Sequence, residues 1–98
     1  MRQPRILVID DEPGITLLCD RLLTKAGYQI HALTDPAQAL ESLHSERFNL
    51  LLVDIRMPEI SGFDVMQKAR ELQPEIAILA MTGYGTVETA IQALRRGV

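Results

Sequence analysis

Leu50-Leu51-Leu52-Val53-Asp54-Ile55-Arg56-Met57-Pro58 is the stretch that decides the fold. Four aliphatic residues in a row, with no polar alternation, suit a strand covered on both faces, as in a parallel sheet packed between helices. The run stops on a carboxylate. An acid placed there stands at the carboxyl end of a buried strand, where open α/β sheets bind their ligands.

The rest of the chain supplies the partners such a strand needs. Ile6-Leu7-Val8-Ile9 and Ile76-Ala77-Ile78-Leu79-Ala80 have the same continuous apolar character. Tyr28 to Leu33 differs, because polar Gln29 and His31 alternate with Tyr28, Ile30 and Ala32. That alternation suits an edge strand. Helical patterns lie between these runs. The first follows Pro13, carries Ile15, Leu18, Cys19, Leu22, Leu23 and Ala26 on one face, and ends at Gly27. The second opens with Asp35 as N-cap, Pro36 at N1 and Gln38 at N3, a variant of the capping box. The third has Ser61 as its cap, turns Val65, Met66, Ala69 and Leu72 to the sheet, and stops before Pro74. The fourth opens at Thr86, stripes Val87, Ala90, Ile91 and Leu94, and closes on Gly97 with Arg95 and Arg96 at its negative end. Strand–helix alternation with short loops predicts a parallel α/β sheet with right-handed crossovers. With the polar-alternating strand at the edge, the expected order is 2-1-3-4, and the winding reverses between strands 1 and 3.

Bulk properties narrow the function. The chain has 98 residues, which makes one domain over 1–98, and a net charge of −3, which gives no basic footprint for direct nucleic-acid binding. The single cysteine, Cys19, excludes an internal disulfide and fits a reducing compartment. No apolar run approaches the ~18 residues that cross a bilayer. The expectation is a cytoplasmic protein that contacts neither membrane nor nucleic acid.

Chemistry gathers at the strand ends. Asp10 and Asp11 follow the first strand, Asp54 the third and Thr82 the fourth. In the expected order these strands are neighbours, so three carboxylates and a hydroxyl should meet in one pocket. Clustered carboxylates repel and resist ionisation unless a cation joins them. A hard divalent ion with oxygen ligands fits, and Mg²⁺ is the expected one. Plainer readings exist for single residues. Asp11 and Glu12 could serve only as helix N-terminal charges, and Thr82 as a turn hydroxyl. Cys19 reads as a core thiol. His31 and His44 lack further ligands at metal spacing. Met57 should shape the loop before Pro58, and Asp20 and Asp64 read as solvated helix charges.

Ile6 to Asp11 with Glu12-Pro13, Leu51 to Pro58 with Gly62, and Met81-Thr82-Gly83 together resemble the receiver domains of two-component response regulators. The resemblance covers nearly the whole chain. It implies a flavodoxin-like three-layer α/β sandwich. It further implies that Asp54 is the phosphoacceptor and that Asp10, Asp11, Asp54 and the backbone carbonyl of Arg56 form the Mg²⁺ site. Thr82 would contact the phosphoryl group and act as a switch, and the amides of Arg56 and Gly83 would hold that group. The implied donor is a sensor histidine kinase, and the implied output is an effector domain, DNA-binding in a longer parent. Met81 to Gly97 is similar to receivers of the nitrogen-regulation class of transcription activators.

Receivers continue into a fifth strand and helix, with a lysine ending that strand. This chain ends at Gly97-Val98, so the expectation is a receiver lacking those two elements and C-terminally incomplete. Neither Lys25 nor Lys68 can replace that lysine, and phosphotransfer should be impaired. The exposed surfaces of strand 4, helix 4 and helix 1 should drive self-association. Self-phosphorylation and slow dephosphorylation would be the limit of its activity; it is not expected to be an enzyme. Two other classes compete. A haloacid-dehalogenase-type phosphatase needs an aspartate two positions after its nucleophile, but residue 56 is Arg and residue 12 is Glu. A phosphorylation-independent interaction module of the same fold is the remaining alternative. No Gly-rich loop after the first strand supports nucleotide binding.

Overall fold

The computed structural model describes residues 3–55, 57 and 60–81. Seven elements follow in order: β1 (Arg5–Ile9), α1 (Pro13–Lys25), β2 (Gln29–Leu33), α2 (Pro36–Ser45), β3 (Leu50–Asp54), α3 (Gly62–Leu72) and β4 (Ala77–Met81). The strands form one parallel sheet in the order β2-β1-β3-β4, as expected. The fourth helical pattern, Thr86 to Gly97, lies outside the described residues.

The pleat sorts each strand onto two faces. Leu7, Ile9, Leu51 and Val53 point to one side and pack against Ala39 and Leu43 of α2 and Val65 and Ala69 of α3. Ile6, Val8, Leu50 and Leu52 point to the other side and pack against Cys19 and Leu23 of α1. The result is three layers, with β1 and β3 buried at the centre. That double burial is why both strands read as unbroken aliphatic runs.

The helix ends follow local chemistry. Pro13 takes the first position of α1, where a missing N–H costs nothing, and Gly27 takes φ +101° just past its end. The Asp35 side chain accepts the amide of Ala37 at 3.0 Å, and Ser61 accepts that of Phe63 at 3.2 Å. Asp35 is thus the side-chain cap of α2, as expected.

Three expectations need correction. The α1 stripe is narrower than its apolar residues suggest. Thr16, Cys19 and Leu23 are buried, whereas Leu22 is exposed and Ala26 is the exposed C-cap. Thr16 tolerates burial because its hydroxyl donates to the carbonyl of Pro13 at 2.9 Å. Strand β4 begins at Ala77 rather than Ile76, because the Ile76 amide closes a turn onto Gln73 and the ladder starts with Ala77 donating to Asn49. Its residues Ala77 to Ala80 are half-buried rather than covered on both faces. Met57 does more than shape a loop, since its side chain joins the core beside Val53 and Val65.

One buried polar device sits at the amino end of the sheet. The Gln73 carbonyl oxygen accepts the Phe48 amide at 2.9 Å, and its amide nitrogen donates to the carbonyls of Leu43 and Glu46. A single side chain thus ties the ends of α2 and α3 to the start of β3.

Candidate functional site

At the carboxyl end of the sheet the chain leaves β1 at Asp10 and β3 at Asp54, from adjacent strands. Each of Asp10, Asp11 and Asp54 offers a carboxylate oxygen, and the three oxygens lie within 4.8 Å of one another. Among the described residues this is the one cluster of side chains with metal-ligating geometry. The acids singled out from sequence therefore do meet.

Backbone structure holds them there. The Asp10 amide donates to Leu33 at 3.2 Å, extending the β1–β2 ladder by one residue. The Asp10 carboxylate accepts the amide of Glu12 at 2.9 Å, which folds the loop back before Pro13 starts α1. Asp54 closes β3 opposite Met81, and the next amide, Ile55, donates to Met81 at 3.4 Å.

The α3 amino terminus presses on this strand end. A Cβ on Gly62 would lie 2.2 Å from the Asp54 carbonyl oxygen and 2.8 Å from the Ile55 Cα. Only glycine permits that approach. The sequence marked Gly62 as part of a motif, but the reason is a backbone-to-backbone contact that no residue pattern reveals.

The electrostatics fit a cation site. Asp10 is 5% exposed. Burial pushes its carboxyl up to about 6; the Glu12 amide opposes the rise, and the negative charges of Asp54, Asp11 and Glu12 add to it. An all-oxygen, multiply anionic donor set of this kind suits a hard divalent ion. Below it, Cys19 is fully buried, and burial raises its thiol to about 11, so it is a core group as expected.

The profile of the response regulator receiver domain matches residues 6–98. The chain belongs to that family. Among curated relatives, this receiver is 37% identical over 95 residues to the transcriptional regulatory protein ZraR of Klebsiella oxytoca, covering 97% of this chain and 21% of that protein. The receiver thus spans about a fifth of the length of such relatives. It is also similar to TrrA of Thermotoga maritima. Solved with Mg²⁺ and BeF, TrrA has a TM-score of 0.78 and 33% identity, covering 94% of this chain and 80% of that one. Solved in complex with the histidine kinase ThkA, it has a TM-score of 0.76 and 36% identity, covering 84% and 71%. A Burkholderia pseudomallei response regulator, solved with a phosphorylated aspartic acid and a calcium ion, has a TM-score of 0.78 and 31% identity, covering 98% and 56%.

Of the receiver's remaining predicted site residues, Arg56, Thr82 and Gly83 lie outside the described residues. His31 packs edge-on against Phe48, with ring centroids 6.1 Å apart, away from the acids. Asp20 accepts the Thr24 hydroxyl on the outside of α1, and Asp64 is exposed in the first turn of α3. Among the described residues, no helix is long and apolar enough to cross a membrane.

Proposed function

We propose that the receiver accepts a phosphoryl group on Asp54 from a sensor histidine kinase in the cytoplasm and relays it as a shape change to an attached output domain. The observation that carries this reading is the meeting of Asp10, Asp11 and Asp54 at one strand-end pocket. Asp54 is the nucleophile. It ends β3, its backbone is fixed by Gly62 and by the β4 ladder, and it is half-buried. Asp10 and Asp11 supply the negative charge that holds Mg²⁺ beside it, Asp10 from the buried side. The Arg56 carbonyl is assigned as a further ligand, its amide and that of Gly83 as phosphoryl donors, and Thr82 as the phosphoryl contact and switch. The Asp54 carboxylate forms an O–P bond as the N–P bond to the kinase histidine breaks and the imidazole leaves with the electron pair; Mg²⁺ held by the three acids would offset the charge on the phosphoryl oxygens.

Support comes from relatives. TrrA was solved with Mg²⁺ and with a histidine kinase, and the Burkholderia protein carries a phosphorylated aspartic acid. ZraR is named a transcriptional regulatory protein, which supports a DNA-binding effector and the nitrogen-regulation class for the parent. Of the two lysines in the sequence, Lys25 lies in the last turn of α1 and Lys68 pairs with Glu71 on α3, so neither is assigned to the phosphoryl site. Self-association is expected through Leu17 and Leu22 of α1 and the half-buried β4; the predicted fourth helix, also expected to take part, lies outside the described residues.

Acetyl phosphate with Mg²⁺ tests the reading. Intact-mass analysis of a chain extended past residue 98 should show one phosphoryl group, lost on adding EDTA beforehand and lost in Asp54→Asn. Absence of labelling in a folded, extended protein would favour a phosphorylation-independent interaction module instead.

A further inference from the structure

We draw no further inference here: the strongest candidate, the cavity of about 770 Å³ at the amino end of the sheet between Arg5, Arg47, Gln73 and Glu75, has its buried polar groups hydrogen-bonded within the chain, so nothing in the structure shows what would occupy it.

Discussion

Replacing Gly62 with alanine should damage both stability and the acid pocket, and the structure sets the size of the effect. The new methyl group would stand 2.2 Å from the Asp54 carbonyl oxygen, 2.8 Å from the Ile55 Cα and 2.9 Å from the Asp54 carbonyl carbon. All three are backbone atoms, so no side chain can rotate away. Either α3 retreats or the end of β3 bends. Overpacking of this kind costs roughly 1–3 kcal/mol. Alanine recovers about 0.5–1 kcal/mol of helix preference at most, which leaves a net loss of up to about 2.5 kcal/mol. For a domain of this size each kcal/mol lost lowers the melting temperature by about 4–8 °C. Gly14→Ala is the matched control. Gly14 lies in the first turn of α1 with nothing within 4 Å of its Cβ position, so that change should be neutral or slightly stabilising. Thermal melts of both variants, followed by circular dichroism, read the difference. Mg²⁺ affinity should fall in Gly62→Ala only, because the displaced atoms belong to Asp54. A Gly62→Ala protein that melts and binds Mg²⁺ like the parent would refute the reasoning.

Two further outcomes follow from individual side chains. Asp10 binds its proton more tightly folded than unfolded, about 6 against 3.8, so without Mg²⁺ stability should be highest below pH 3.8 as far as this group is concerned and should fall as pH rises towards 6. At about 1.4 kcal/mol per pH unit the whole effect is of order 2–3 kcal/mol. Asp10→Asn should flatten that slope and stabilise the metal-free protein at pH 7; urea titrations at several pH values would show it, and an unchanged slope would speak against a strained Asp10. Gln73→Ala strips partners from the buried Phe48 amide, the buried Leu43 carbonyl and the part-buried Glu46 carbonyl, and a loss of about 2–4 kcal/mol is expected, read as a lower urea midpoint; a shift below about 1 kcal/mol would mean water replaces the amide.

Much of this architecture was legible because hydrophobic patterning reports burial directly. Unbroken runs in β1 and β3 marked the central strands, and the polar alternation of His31 and its neighbours marked β2 as an edge. Given that order, the convergence of Asp10, Asp11 and Asp54 follows from topology alone. The errors arose where apolar character and burial separate. Ile76 is as apolar as a strand residue, yet its amide completes a turn onto Gln73. Leu22 and Ala26 match the α1 period but point past the edge of the covered surface. Gln73 gave no signal at all. A polar residue between Leu72 and Pro74 reads as a helix end, and only the three-dimensional path of the α2–β3 loop makes it a buried anchor. The raised Asp10 carboxyl was foreseen as repulsion among acids, whereas burial is its largest cause.

Mg²⁺ titration by calorimetry, on the parent and on Asp10→Asn, Asp11→Asn and Asp54→Asn, tests the shared carboxylate pocket most directly. One site is predicted in the parent, weakened at least tenfold in each variant, a change of about 1.4 kcal/mol or more. Full-strength Mg²⁺ binding in all three folded variants would contradict it.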